Sequence, residues 1–145
     1  MNNIHHPVFQ YATIGEIDQV IALWKSVGVY NPDEDQYHIL EKVVDFDAEA
    51  LCLLKIGENL VGSCMIVYHP HQTFIYRFGI HQDYQWQWLG TLLCEFIEKT
   101  LIAKWMLHPT LFVEEDNELW KKFRSQQWRT RLYSVDCFVK NLEQH

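Results

Sequence analysis

The sequence predicts a mixed α/β (α+β) domain, a twisted sheet of about six strands flanked by about four helices. Three observations predict it. Ala50–Ile56 and Leu60–His69 are β-rich apolar runs joined by Gly57-Glu58-Asn59, a hairpin signal, and Pro70–Thr73 turns the chain into a third run, Phe74–Ile80. Leu89, Leu92, Leu93, Phe96 and Ile97 then repeat at i, i+3, i+4, i+7 and i+8, the apolar stripe of an amphipathic helix over Leu89–Ala103. The full order of segments is β-α-α-β-β-β-α-β-α-β.

The remaining elements come from local chemistry. Val8–Tyr11 alternates as a first strand. Thr13 with Glu16 three residues later is a capping box, opening a helix whose stripe is Ile17, Val20, Ile21, Trp24 and Val27. Asn31–Asp35 is a polar break, and Tyr37–Phe46 comes next as a second helix. His108–Pro109 ends the long helix, because proline cannot continue the hydrogen-bond ladder. Leu111–Glu114 then reads as a short strand, Asn117–Gln126 as a helix and Leu132–Val139 as the last strand.

Composition bounds the function. A chain of 145 residues with 48% apolar and 21% charged residues suits one globular domain, 1–145, with a single core. No internal repeat, linker or low-complexity tract interrupts it. No apolar run approaches the roughly 18–20 residues of a membrane span. The opening MNNIHHPVF lacks a basic region followed by an apolar stretch, so no secretory leader is expected. Cys52, Cys64, Cys94 and Cys137 form no C-x-x-C pair and lie in apolar stretches, which reads as reduced, buried thiols in a cytoplasmic protein. A formal charge of −7 with scattered basic residues disfavours nucleic acid as a partner and suits a cationic, amine-bearing one. His69 and His71 flank Pro70, but no acid or cysteine lies at a supporting spacing, so no metal site is expected.

The stretch with the most chemistry runs from Phe78 to Ala103. A strand there passes through a polar loop, His81-Gln82-Asp83-Tyr84-Gln85-Trp86-Gln87-Trp88, into the Leu89 helix. A helix N-terminus fed by a strand aims several unpaired backbone N–H groups at one point, where phosphates bind. This segment resembles motif A of the GCN5-related N-acetyltransferases (GNAT family), whose helix start reads Q/R-x-x-G-x-G/A. Gln85, Leu89 and Gly90 match the pattern, whereas Trp88 takes its central glycine and Trp86 a place where many members carry another. The order of elements is similar to the GNAT order over nearly the whole chain. LVGSCMIVYH is similar to the family's third strand, IYRFGIHQDY to its fourth, and VEEDNELWKKF to the start of its second conserved block.

The resemblance implies a mostly antiparallel sheet and acetyl transfer from acetyl-CoA to an amine of a small molecule or peptide, with a homodimer left open. The alternative is a non-catalytic GNAT-fold interaction module with impaired coenzyme A binding. It implies a cofactor site of Phe78, Gly79 and Ile80 along the pantetheine arm, and of Gln85, Trp86, Gln87, Trp88, Leu89, Gly90, Thr91 and Asn117 around the phosphates. The family's proton-donating tyrosine is replaced by Phe123, and Gln127 takes the place of a later glycine; phenylalanine has no proton to give.

The remaining candidates come from the residues themselves. Glu114 or Glu115, at the end of the fifth strand, is the candidate base; both also suit the N-terminus of the next helix as solvated acids. Tyr76 and Tyr68 alternate toward the groove and either line it, replace the missing donor, or pack across strands. The indoles of Trp86 and Trp88 each carry on the order of 150–250 Å² of surface, and either fill the phosphate site or pack away from it.

Overall fold

The structure is a computed structural model that describes residues 6–84, 87–112, 138 and 140–143. Among the described residues five strands form one sheet in the order β1 (Pro7–Tyr11), β2 (Leu51–Ile56), β3 (Asn59–Val67), β4 (Thr73–Ile80), β5 (Pro109–Leu111). The first four are antiparallel in succession, and β5 joins β4 in parallel. The described residues also form three α-helices that flank the sheet: α1 (Ile17–Val27), α2 (Tyr37–Phe46) and α3 (Gln87–Ala103). This is the mostly antiparallel α+β fold that the sequence predicts. The expected helix at Asn117–Gln126 falls outside the described residues, as does nearly all of the strand expected at Leu132–Val139.

The side-chain period of two sorts each strand between two cores. Cys52, Leu54, Cys64, Ile66, Ile75, Phe78 and Ile80 face α3, which buries Leu89, Leu93, Cys94, Ile97 and Leu101 against them. Leu51 and Leu53 face the other way, with Ile17, Val20, Trp24 and Leu40 of α1 and α2. The three described cysteines are buried and carry reduced thiols, as expected. Leu93 is fully buried, whereas Leu92 and Phe96 are partly covered at the rim, where Phe96 stacks on Phe9 of β1 at 4.8 Å. The buried face of α1 is wider than its expected stripe, because Leu23 also meets the core.

Two junctions seat α1 on the sheet. At its start the capping box forms: Glu16 Oε1 accepts the Thr13 N–H at 3.1 Å, and Glu16 Oε2 takes Lys55 Nζ of β2 at 2.6 Å. The box opens a short 3-10 turn, Ile14–Glu16, before α1 begins. At its end, close packing of α1 on β4 depends on Gly79, where an added Cβ would sit 2.7 Å from Val27 Cγ2. One boundary shifts. The strand expected at Leu111–Glu114 begins at Pro109, because the parallel ladder pairs Pro109 with Thr73 and a first strand position tolerates proline.

Leu93→Ala should lower stability by about 2–5 kcal/mol, the usual cost of emptying a core leucine site, and so lower the urea midpoint. An unchanged midpoint would mean that α3 does not close this core. Glu16 supplies a pH signature. Burial works to raise its pKa, but the hydrogen bonds from Lys55 and Thr13 outweigh it and the net shift is downward. A carboxylate depressed in the folded state contributes stability above its unfolded pKa, and loses it as pH falls through the folded value. Acid titration of Glu16→Gln should therefore show a shallower stability loss below the usual carboxylate range than the wild type shows.

Candidate active site

The connection from β4 to α3 is built to hold a helix N-terminus in one place. The His81 N–H donates to the Val61 carbonyl at 2.7 Å, and the Tyr84 N–H to the His81 carbonyl at 2.8 Å. Gln82 Nε2 reaches the Ser26 carbonyl at the end of α1, 2.8 Å away. The loop is thus tied to both the sheet and α1. Helix α3 then starts at Gln87, which puts the amides of Gln87, Trp88, Leu89 and Gly90 in its first turn and Thr91 at the start of the second. Leu89 and Gly90 are buried against the sheet, and Trp88 leaves 50% of its surface in solvent. The Trp88 indole is therefore not a core side chain. Gln85 and Trp86 lie outside the described residues, as do Glu114, Glu115, Asn117, Phe123 and Gln127.

The fourth strand carries an irregularity that sequence reasoning missed. Met65 pairs with Tyr76 and Ser63 with Gly79, so two residues of β4, Arg77 and Phe78, oppose Cys64 alone. This is a β-bulge, and Arg77 adopts φ 55° within it. A left-handed conformation costs a non-glycine residue roughly 1–2 kcal/mol and persists only where its surroundings impose it. The side chain supplies that constraint. Arg77 Nε donates to Asp35 Oδ2 at 2.6 Å and an Arg77 terminal nitrogen to Glu34 at 2.8 Å. Asp35 is 1% exposed, although it sits in a loop that reads as polar and solvated. Burial works against the Arg77 charge, but the two carboxylates outweigh it and raise the Arg77 pKa further above its ordinary range.

The loop that delivers these acids is itself fixed. Asn31 Oδ1 accepts the Asp33 N–H at 2.9 Å, and the Asn31 N–H donates to Asp35 Oδ2 at 2.8 Å. Beside it, the Tyr76 ring lies on Phe112 at 5.1 Å and within 9° of parallel, and Phe74 leans on the same ring at 5.4 Å. Burial raises the Tyr76 pKa, and the Glu34 charge adds to it. Beyond the last parallel pair, Ile75 with Leu111, β4 continues through the bulge to Phe78, Gly79 and Ile80.

Tyr68 does not join Tyr76. Two-residue alternation places it with Cys64 and Ile66 on the α3 side, where its hydroxyl donates to the Glu49 carbonyl at 3.4 Å and Lys104 caps its ring. Burial pushes its pKa upward. It therefore packs in the opposite layer from Tyr76, and the expectation that both tyrosines face one groove is corrected. The sequence alone carried no signal for this: the two tyrosines lie on different strands, and the register that pairs Met65 with Tyr76 and Val67 with Phe74 sets their relative facing.

The profile of the Acetyltransferase (GNAT) family matches residues 17–123, and the chain belongs to this family. An acetyltransferase of Yersinia pestis strain Pestoides F is 29% identical over 103 residues, covering 71% of this chain and 73% of that protein. An acetyltransferase of Yersinia enterocolitica is 29% identical over 111 residues, 77% of each chain. Among solved structures, the PaiA N-acetyltransferase of Thermoplasma acidophilum in complex with coenzyme A superposes with a TM-score of 0.72 at 14% identity, over 84% of this chain and 88% of that one. A transcriptional regulator from Bacillus halodurans reaches 0.79 at 15% identity, over 93% and 100%. These structural likenesses establish the shared fold, and the family match supports acetyl transfer as its general chemistry. No helix among the described residues is long and apolar enough to cross a membrane.

The Arg77 ion pairs yield a stability test. Asp35→Ala leaves a largely buried guanidinium with Glu34 as its remaining carboxylate, and breaking such a pair costs about 3–5 kcal/mol. The loss should fall at the lower end, because Glu34 persists. Urea denaturation checks it, and a cost below about 1 kcal/mol, the range of an exposed pair, would show that the contact is loose.

Proposed function

We propose that this protein transfers the acetyl group of acetyl-CoA to the amine of a small molecule or peptide. The observation that carries the reading is the start of α3 directly after the β4 exit, with four amides in its first turn and a buried Gly90 beneath them. Such a turn is a ready site for a diphosphate, because its N–H groups lack helical partners and its dipole end is positive. Acetyl-CoA supplies an acyl group activated as a thioester. In this reading the backbone of Phe78–Ile80 runs beside the pantetheine arm, and Gln85, Trp86, Gln87, Trp88, Leu89, Gly90 and Thr91 surround the phosphates, with Asn117 contributing from the next conserved block.

The substrate amine attacks the acetyl carbonyl carbon. A C–N bond forms, the C–S bond breaks, the amine proton passes to a carboxylate, and the departing thiolate ends as a free thiol after taking up one proton. Glu114 or Glu115 is the proposed acceptor of the amine proton. Tyr76 is the proposed donor to the thiolate, in the place where Phe123 removes the usual tyrosine. A pKa raised by burial suits Tyr76 to hold its proton until a strong base appears beside it. Water can complete the same step in its absence, because a thiolate with a pKa near about 8.5 needs no strong acid.

The half-exposed Trp88 bears on affinity. An indole at the place of a glycine crowds a close approach of phosphate to backbone, and each lost N–H contact to a charged group removes about 1.5–3 kcal/mol. Acetyl-CoA should therefore raise the melting temperature of the wild type only at high micromolar to millimolar concentration. At about 100 times the dissociation constant the stabilisation is roughly 2.7 kcal/mol, several degrees for a domain of this size. Absence of any shift at millimolar acetyl-CoA would overturn the transferase reading. Replacing Trp86 and Trp88 together by glycine should tighten binding; weaker or equal binding would show that the indoles do not obstruct the site.

A further inference from the structure

The turn that leads into α3 is closed by a side chain that can take up a proton. His81 Nδ1 accepts the Asp83 N–H at 3.1 Å, while the His81 carbonyl accepts the Tyr84 N–H at 2.8 Å. A neutral imidazole accepts at one nitrogen and carries its proton on the other, so this bond fixes the proton on Nε2. The ring also meets Tyr84 edge to face at 5.8 Å, and Tyr84 in turn packs against the α3 core. His81 therefore does for the 3-10 turn Gln82–Tyr84 what asparagine or aspartate does at a helix start: its side chain satisfies a first-turn amide.

A second proton ends this arrangement. An imidazolium donates at both nitrogens, so the lone pair that takes the Asp83 N–H is lost and two donors face each other. Another partner stands close by: Asp83 Oδ2 lies 4.0 Å from the same nitrogen, on a side chain that is 84% exposed. The imidazole itself is 36% exposed, so protons reach it from solvent. Neutral His81 thus holds the Asp83 backbone, and protonated His81 holds the Asp83 carboxylate. Tyr84 is the other ring of this turn against the imidazole. Among the described residues, β3 meets His81 through the Val61 carbonyl and α1 meets the turn through the Ser26 carbonyl, while Lys25 keeps its ammonium over the Tyr30 ring.

We infer that His81 is a positioning residue for the cofactor site: neutral, it caps the turn that sets the first-turn amides of α3, and protonated, it releases that turn, so that acetyl-CoA binds more weakly as pH falls through the histidine range. The inference rests on the acetyl-transfer reading for the identity of the anion, whereas the cap and its proton belong to the protein alone. The sign follows from two opposing effects. An imidazolium attracts a diphosphate, but the Asp83 carboxylate beside it neutralises that charge, and attraction between exposed charges is weak. The lost cap falls directly on the turn whose rigidity an anion site at α3 uses. The second effect wins.

The test titrates acetyl-CoA into three proteins between about pH 8 and about pH 5, the range in which histidine changes charge, and follows the backbone amides by NMR. His81→Asn sets an amide oxygen at the place of Nδ1 and accepts the same N–H without titrating. His81→Phe keeps a ring against Tyr84 but has no acceptor. Titration of the cofactor's own phosphates is common to all three and cancels in their ratios. Relative to His81→Asn, the wild type should lose roughly three- to tenfold in affinity on acidification, the size of a lost cap. His81→Phe should bind more weakly than the wild type at the upper end and show no such fall relative to His81→Asn. Parallel profiles for the wild type and His81→Asn, a wild type that tightens relative to His81→Asn on acidification, or wild-type affinity in His81→Phe would overturn the inference. If acetyl-CoA binds none of the three, the phosphate-site reading fails separately, and the unliganded wild type decides. Imidazole nitrogen shifts that report the Nε2–H form at high pH, with the Asp83 and Gln87 amides moving as His81 titrates, support the cap. An Nδ1–H form, or amides that stay still across the range, refutes it.

Discussion

The site depends on one interaction, the ion pairing of Arg77 with Asp35 and Glu34. Its partners lie 42 and 43 residues apart in sequence, one on the fourth strand and the others in the loop between the first two helices. The left-handed backbone at Arg77 has an intrinsic cost, and a guanidinium seated on two carboxylates offsets it. The bulge in turn sets which way Tyr76, Phe78 and Gly79 point. Phe78 enters the α3 core, Gly79 admits Val27 of α1, and Tyr76 meets the ring of Phe112. One contact therefore ties the Asn31–Asp35 loop, the strand proposed to lie along the pantetheine arm, and the seating of α1.

The rest of the framework serves the start of α3. That helix buries a stripe against β2, β3 and β4, and its first turn is held by the 3-10 turn at Gln82–Tyr84 and by the Gln82 contact to α1. A helix end can act as an anion site only if it does not shift when the anion arrives, because reorganisation would consume the gain. Burial of Leu89 and Gly90 supplies that rigidity, and the half-exposed Trp88 is the feature that distinguishes this loop from the family's glycine-rich pattern.

The family match and the departures from its pattern concern different atoms. Helix-terminal binding of phosphates uses backbone amides, which every residue but proline provides, so Trp88 changes the space around the donors rather than their existence. Proton donation uses a side-chain hydroxyl, which Phe123, the residue that the resemblance sets at the family's tyrosine, does not have. Tyr76, on β4 next to Arg77 and raised in pKa by burial and by the Glu34 charge, is the hydroxyl proposed for that role. The alternative reading, an interaction module without catalysis, gains no support from the relatives found, which are named acetyltransferases.

Much of the fold was legible in the sequence because it is local. The stripe from Leu89 to Ile97 reports the period of a helix, Gly57-Glu58-Asn59 reports a tight turn, and Thr13 with Glu16 reports a helix start; each signal spans a few residues. The candidate site was legible only where it is likewise local, at the passage from β4 into α3. The bulge, the burial of Asp35 and the separation of Tyr68 from Tyr76 were not, because each depends on register between strands or on charges brought together across some forty residues. Asp35 looks like any loop acid until Arg77 is placed over it. The sequence by itself determined the order and faces of the elements through side-chain periodicity; only the tertiary structure decided which polar groups meet, because an ion pair forms between chain segments whose spacing the pattern of neither one encodes.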